Sequence, residues 1–187
     1  MALTQTRLSL HDFIDWENAQ AERHEFYRGD VSAMVGVRRS HGTVSLNLAV
    51  ALKLHLKGSR CAVFTESLKR QVADDAIFYP DVFVTCDADD LRTDMIFRAP
   101  TVVAEVLSES AVACDRGLKF SLYRRLPSLR EYLLVDPDSR AVEVFRRNER
   151  GIFELHDQTD ANALQLVSID GTLPLAELFD GIESPAA

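Results

Sequence analysis

The chain of 187 residues is 47% hydrophobic and 27% charged and carries a net charge of −8, a composition typical of a globular protein. No apolar run approaches the roughly 20 residues that a membrane-spanning helix needs, and the first ten residues hold no continuous apolar stretch, so we expect a cytoplasmic protein. The cysteines Cys61, Cys86 and Cys114 are odd in number and far apart, which argues against a disulfide framework or a zinc site and favours a reduced protein. At this length we expect one domain spanning residues 1–187.

Helical and strand-like patterns alternate along the chain. An amphipathic helix is predicted at 9–20, with Ser9 as its N-cap, and a hairpin is predicted at 24–36. Further helices are predicted at 40–56, at 111–126 before Pro127, and at 175–179. Strands are predicted at 61–66, 69–72, 81–86, 101–107, 131–135, 142–146, 152–156 and 164–169. This order indicates an α/β fold in which helices cover a sheet.

One carboxylate interrupts the most apolar predicted strand. Glu105 lies within 101–107, where only apolar side chains are expected, and a buried carboxylate must be paired, bind a metal or take up a proton. Asp81 opens another strong strand, so two neighbouring strands would bring both carboxylates to one hard cation such as Mg²⁺ or Mn²⁺. The alternative is that Glu105 pairs with a buried arginine or satisfies a gap in the backbone hydrogen bonding.

The predicted helix after this strand carries a polar stripe. Asp115, Lys119 and Tyr123 are spaced four residues apart and therefore share one face. If the helix returns along the sheet, Lys119 points at Asp81 and Glu105, where its ammonium would orient a water nucleophile or neutralise charge on a phosphate. The alternative is an ordinary surface ion pair between Asp115 and Lys119.

Charge is unevenly distributed along the chain. Residues 151–187 contain seven acidic residues and no Lys or Arg, a segment that would cover a sheet edge or form a dimer contact. Residues 116–150 contain nine basic and five acidic residues, so a local basic surface can meet phosphates. Arg116, Arg124 and Arg125 are candidate contacts to a DNA backbone, or else solvated side chains. His41 is a candidate phosphate ligand at a helix N-terminus, or else a capping or core histidine.

Several motifs together resemble a known family. The sequence is similar to the Uma-two family of restriction-endonuclease-like proteins, within the PD-(D/E)XK nuclease superfamily. The resemblance covers roughly residues 25–147. It rests on the segments His24-Glu25-Phe26-Tyr27-Arg28-Gly29-Asp30, His41-Gly42, Tyr79-Pro80-Asp81, Glu105-Val106-Leu107-Ser108, Asp115 with Lys119 and Tyr123, Leu126-Pro127-Ser128-Leu129-Arg130-Glu131-Tyr132, and Val135-Asp136-Pro137.

The resemblance implies a restriction-endonuclease-like fold with a mixed central sheet flanked by helices. It implies hydrolysis of DNA phosphodiester bonds with Mg²⁺ or Mn²⁺ held by Asp81 and Glu105, and Glu25 as a further acidic ligand. The superfamily signature places a lysine two residues after the glutamate, where this chain has Leu107, so Lys119 would be the relocated lysine. Nucleases that cut duplex DNA often pair two active sites, which implies a homodimer.

Two functional hypotheses follow. The first is a metal-dependent DNA endonuclease in which Asp81, Glu105, Lys119 and Glu25 are catalytic. The second is a catalytically inactive module that keeps the nuclease fold for interaction or DNA binding, which the acidic net charge and Leu107 favour. The signals of covalent hydrolases, nucleotide-binding enzymes and zinc proteases (GxSxG, GxxxxGK[S/T] and HExxH) do not occur in the sequence.

Overall fold

The computed structural model describes residues 8–109 and 111–182. Its helices are α1 (Leu10–Glu17), α2 (Arg39–His55), α3 (Val112–Cys114), α4 (Phe120–Tyr123) and α5 (Leu175–Leu178), with a π-helix at Asp115–Lys119 and 3-10 turns at Asp90–Arg92 and Val167–Ile169. Its strands are β1 (His24–Tyr27), β2 (Asp30–Ala33), β3 (Ala62–Thr65), β4 (Lys69–Ala73), β5 (Ala76–Phe78), β6 (Val82–Thr85), β7 (Ile96–Phe97), β8 (Pro100–Val106), β9 (Glu131–Val135), β10 (Val142–Arg147), β11 (Phe153–Asp157), β12 (Ala163–Leu166) and β13 (Gly171–Pro174).

A mixed six-stranded sheet forms the centre of the fold, with the strand order β11-β10-β9-β8-β6-β3. Strand β8 runs parallel to β9, and the other neighbouring strands are antiparallel. Six of the seven residues of β8 are buried, as expected for an apolar strand that is covered on both faces. Helices flank this sheet, so the predicted α/β fold with a mixed central sheet is confirmed.

A second sheet, with the order β2-β1-β5-β4-β7, extends the predicted architecture. It contains β5, a strand of three residues that is too short to show the two-residue alternation by which strands are recognised. Phe26 of β1 pairs with Ile77 of β5, and β5 leads directly into Tyr79, Pro80 and Asp81. The second sheet therefore ties the hairpin that carries Glu25 to the segment that carries Asp81.

The two faces of the central sheet have separate apolar cores. Helix α2 covers one face with Val44, Leu48 and Leu52, which are spaced four residues apart and fully buried. On the opposite face, Leu122 and Tyr123 of α4 pack in the same apolar cluster as sheet residues of that face. Complete burial of a large apolar side chain is worth about 1.5–3 kcal/mol, so packing on both faces holds the helices to the sheet.

The described part of the acidic C-terminal segment, residues 151–182, covers a sheet edge. Strand β11 pairs with β10 and is the outermost strand of the central sheet. The β12–β13 hairpin and α5 add Leu164, Leu173 and Leu178 to the core beneath α2. The predicted strand at 164–169 ends early, because a 3-10 turn and the left-handed residue Asp170 lead into β13.

The predicted helix at 111–126 consists of three consecutive segments, α3, the π-helix and α4, which we call the 112–123 helix. The π-helix takes up the five residues Asp115–Lys119. Such segments are rare, appear mostly as single turns within α-helices and are frequent at functional sites. Here the π-helix holds two of the three polar residues of the predicted stripe.

The prediction that the cysteines are unpaired is wrong for two of them. Cys61 and Cys86 form a disulfide with a Cα–Cα distance of 4.1 Å. They adjoin the paired residues Ala62 of β3 and Thr85 of β6, so antiparallel pairing brings together two cysteines that are 25 positions apart. Cys114 is free.

No helix in the two described ranges is long and apolar enough to cross a membrane.

Candidate active site

The two carboxylates that the sequence analysis assigned to one site face each other across adjacent strands. Val82 of β6 pairs with Ala104 of β8 in an antiparallel register, which places Asp81 opposite Glu105. Directly opposed residues of antiparallel strands have Cβ atoms about 4.5–5.5 Å apart and point to the same face. Glu105 points to the sheet face that the 112–123 helix covers, since it contacts Lys119. Asp81 lies just before β6 and contacts His41 of α2.

Two hydrogen-bond donors fix one oxygen of Asp81. Its Oδ2 accepts a hydrogen bond from the backbone N–H of Val106 at 2.7 Å and lies 3.3 Å from Nε2 of His41. These two contacts hold the Asp81 side chain by its Oδ2 oxygen.

Lys119 lies at the centre of three carboxylates. Its Nζ is 3.0 Å from Oε1 of Glu25, 3.1 Å from Oδ1 of Asp115 and 3.5 Å from Oε1 of Glu105. Glu25 comes from the hairpin, Glu105 from the central strand, and Asp115 from one turn before the lysine. Lys119 therefore points toward Glu105, as predicted, and its side chain is only 9% exposed.

Burial and mutual charge shift the pKa values of this cluster. Burial raises the pKa of Glu105 well above its ordinary value. The positive charge of Lys119 lowers this pKa, whereas the negative charges of Asp115, Asp81 and Glu25 raise it further. Burial likewise raises the pKa of Asp115. For Lys119, burial alone would lower the pKa, but the surrounding carboxylates raise it well above its ordinary value. The lysine is therefore a permanent cation at neutral pH.

Two aromatic rings line the apolar side of the cluster. Tyr123 is completely buried, and its hydroxyl has no hydrogen-bond partner among residues 8–109 and 111–182. Burial and the charge of Glu105 raise the pKa of this hydroxyl well above its ordinary value, so Tyr123 stays protonated. The ammonium of Lys119 lies 5.7 Å from the ring centre of Phe78.

His41 lies beside Asp81 at the start of α2. It occupies the first turn of α2, is 6% exposed and contacts Asp81 through Nε2. Burial lowers the pKa of His41, but the hydrogen bond to Asp81 and the charge of that carboxylate outweigh burial and raise it. Because its ring is buried against Asp81, His41 acts on that carboxylate in this structure.

The three predicted DNA-contacting arginines are not gathered at the carboxylates. Arg116 is paired with Glu143 of β10. Arg124 and Arg125 are exposed at the end of the 112–123 helix, and the Arg124 guanidinium lies 5.9 Å from the ring centre of Phe120. They adjoin a groove described below.

Asp115 was not among the predicted catalytic residues, although it is a direct partner of Lys119 in the structure. The signal was its four-residue spacing from Lys119, which is equally typical of a surface ion pair. Asp115 is only 2% exposed. This burial distinguishes a partner of Lys119 within the site from an ordinary surface ion pair.

The donor set at Asp81 and Glu105 suits a hard cation. Residues 8–109 and 111–182 contain no group of three or more His, Cys, Asp or Glu side chains arranged as a metal site. Mg²⁺ keeps several waters and binds through one or two carboxylates. Oε1 of Glu105 is buried and makes no hydrogen bond with a described residue, and its ion-pair partner is the Lys119 ammonium at 3.5 Å.

The chain is similar to several known proteins. The Uma2 family, described as "Putative restriction endonuclease", matches residues 10–176. "Uncharacterized protein slr1290" of Synechocystis sp. (strain ATCC 27184 / PCC 6803 / Kazusa) is 33% identical over 177 residues, which are 94% of this chain and 93% of that protein. "Uncharacterized protein sll1609" of the same organism is 30% identical over 143 residues, 75% of this chain and 81% of that protein.

A solved structure shares the fold. The crystal structure of a putative nuclease belonging to DUF820 from Anabaena variabilis ATCC 29413 matches with a TM-score of 0.75 at 20% sequence identity, over 92% of this chain and 97% of that chain. The family match extends over most of the chain and includes Glu25, Asp81, Glu105 and Lys119. The resemblance found in the sequence motifs is therefore confirmed, and the chain belongs to the Uma2 family.

Proposed function

We propose that this protein is a metal-dependent DNA endonuclease of the PD-(D/E)XK type, which hydrolyses phosphodiester bonds. The observation that carries the proposal is the opposition of Asp81 and Glu105 on adjacent strands, with the buried ammonium of Lys119 at 3.5 Å from Glu105. A buried cluster of titratable groups with perturbed pKa values is typical of a functional site. The family description and the printed name of the Anabaena protein support the same activity.

Asp81 and Glu105 would hold Mg²⁺ or Mn²⁺. The bound cation would polarise a phosphoryl oxygen and lower the pKa of a bound water. Asp81 is suited to this role because Val106 and His41 fix its Oδ2. Glu105 is suited because it is a buried carboxyl group whose cationic partner among the described residues, Lys119, is shared with two other carboxylates.

Lys119 would supply a fixed positive charge. Its raised pKa makes it a poor general base, so its role is to orient a water molecule or to neutralise charge that develops on the phosphate. Glu25 and Asp115 hold the ammonium at 3.0 and 3.1 Å. Glu25 thereby completes the acidic cluster, and Asp115 positions the lysine from within the same helix.

DNA is the substrate of this proposal, and a homodimer in the cytoplasm is the proposed form of the enzyme. A dimer would present two sites to the two strands of a duplex. Sedimentation of the protein over a range of concentrations checks this proposal, because a constant mass near the 21.0 kDa of one chain would contradict it.

An inactive nuclease-fold module remains the second candidate. One observation favours it: three carboxylates surround the Lys119 ammonium, so the cluster partly neutralises itself without a metal. Calorimetric titration with Mn²⁺ separates the candidates. Binding that Asp81→Asn abolishes supports the enzyme, whereas no binding at millimolar Mn²⁺ supports the module.

The activity test is nicking of supercoiled plasmid DNA in Mg²⁺ by wild type, Asp81→Asn and the control Asp160→Asn, which changes an exposed aspartate. We expect cleavage by wild type and the control, loss of at least about a hundredfold in Asp81→Asn, and no cleavage in EDTA. Equal cleavage by all three proteins, or cleavage in EDTA, would contradict the proposal.

A further inference from the structure

We propose that a groove between the 112–123 helix and the strands β10 and β11 binds a single strand of DNA beside the candidate active site. This inference rests on the proposed nuclease function and specifies the form of its substrate. The groove has a volume of about 530 Å³, within the range of ligand-binding clefts. We call it the Arg-Phe groove, after the lining residues Phe120, Arg124, Arg125, Phe145 and Phe153.

The Arg-Phe groove and the candidate active site use neighbouring faces of one helix. Phe120 follows Lys119, and Arg124 follows Tyr123, so each groove residue is about 100° around the helix axis from a site residue. The groove therefore lies next to the site along the chain and around the helix, which is the basis for placing a bound strand beside the site.

The groove offers an apolar surface for bases. The ring centre of Phe120 lies 4.4 Å from that of Phe145 and 5.6 Å from that of Phe153. Ile152 and Leu155 also line the groove and are 55% and 52% exposed. Proteins that bind single strands place bases against aromatic and apolar side chains in this way. The bases of an intact duplex are stacked on one another and cannot make these contacts.

The charge of the groove complements a phosphate backbone. Both Arg124 and Arg125 are exposed, neither forms an ion pair with a described residue, and no residue that lines the groove is acidic. Arg116, on the same helix, is instead paired with Glu143. In a chain of net charge −8, two unpaired arginines beside aromatic rings form a local site that favours an anionic ligand with planar groups.

The test is fluorescence anisotropy in EDTA with a labelled oligothymidylate of about twelve nucleotides, its duplex, and unlabelled thymidine monophosphate as competitor. The variants are Arg124→Ala/Arg125→Ala and Ile152→Ser/Leu155→Ser. The matched control is Lys57→Ala/Arg60→Ala, which removes two exposed cations at the opposite edge of the central sheet.

We expect wild type to bind the single strand more tightly than the duplex. Loss of two phosphate contacts in the arginine variant should reduce the slope of log affinity against log salt by about 1.4. The apolar variant should bind roughly 10- to 150-fold more weakly with an unchanged slope, since half of the burial of each of the two side chains is at stake. The control should bind as wild type does.

Several results would overturn the inference. If both groove variants bind the single strand as tightly as wild type, the inference is wrong. The proposed function still stands in that case if plasmid cleavage is lost in Asp81→Asn. Preference for the duplex, or full competition by the free mononucleotide at equal concentration, overturns the assignment to a single strand. Failure of wild type to bind or cleave any DNA contradicts both the inference and the proposed function.

Discussion

Glu105 is a buried carboxyl group that does not have the Lys119 ammonium to itself. Glu105 is 2% exposed, and its carboxylate shares one ammonium with Glu25 and Asp115. Burial raises the pKa of Glu105 well above its ordinary value. The folded protein therefore keeps a proton on Glu105 that the unfolded chain loses above about pH 4.3, so this group destabilises the fold increasingly as the pH rises from there to the raised pKa.

Glu105→Gln is expected to stabilise the metal-free protein at pH 8 and to have little effect at pH 4. Removing a group that must keep a proton in the folded state should raise the unfolding midpoint at pH 8, where the unfolded chain would lose that proton. Thermal unfolding in EDTA measures this, with the exposed Glu149→Gln as control. A lower midpoint for Glu105→Gln at pH 8 would contradict this account.

His41 positions Asp81 through Nε2 at 3.3 Å. His41→Leu removes that donor, and loss of an outer partner of a metal ligand typically costs about 10–100-fold in metal affinity or activity. His41→Gln keeps an amide N–H near the position of Nε2 and should retain most of the affinity for Mn²⁺. Calorimetry on both variants checks this expectation, which fails if His41→Leu binds Mn²⁺ as tightly as wild type.

The π-helix at Asp115–Lys119 is the element that presents Lys119 to the carboxylates. Gly117 lies on its exposed side, and an added Cβ would meet no heavy atom of the described chain within 4 Å. Alanine is favoured over glycine by about 0.8–1.0 kcal/mol within an α-helix. We expect Gly117→Ala to raise the unfolding midpoint by about 2–4 °C with unchanged plasmid cleavage. A lower midpoint would show that the π-helix requires glycine there.

The disulfide joins β3 and β6 and closes the segment that contains Asp81. A cross-link over 25 positions stabilises by about 3 kcal/mol in the chain-entropy model. Cys61→Ala/Cys86→Ala should therefore lower the unfolding midpoint by about 6–12 °C. Cys114→Ala is the matched control, because Cys114 is free. Equal midpoints for wild type with and without reductant would contradict a stabilising cross-link.

Long elements were predictable from sequence because their periodicity reports burial directly. Helix α2 and strand β8 follow from the spacing of Val44, Leu48 and Leu52 and from the apolar run around Glu105. Strand β5 is too short to show such a pattern. The disulfide was missed because it forms only where β3 pairs with β6. The spacing of two cysteines along the chain does not show which strands are neighbours.

The candidate site was predictable only in part for the same reason. Glu105 interrupts an apolar strand, Asp81 opens a neighbouring strand, and Lys119 lies on a polar helical stripe, and these local features singled them out. The buried role of Asp115 and the contact of His41 with Asp81 depend on how the 112–123 helix and α2 pack against the sheet. Three-dimensional packing decides these contacts, and the linear spacing fits a surface position equally well.

Across the whole molecule, charge is separated between a buried site and an acidic exterior. The net charge is −8, yet the lysine of the site is surrounded by three acids, and two unpaired arginines lie around the helix from it. Long-range attraction to DNA is therefore weak, and binding must depend on local contacts. The fold positions those contacts on one helix.

Anomalous diffraction from a crystal soaked in Mn²⁺ tests the central claim most directly. The account predicts one Mn²⁺ peak between Oδ1 of Asp81 and the carboxylate of Glu105, at about 2.0–2.3 Å from an oxygen of each, and no such peak in crystals of Asp81→Asn. Absence of Mn²⁺ from this pair in a protein that still cleaves DNA, or an equal peak in the variant, would contradict it.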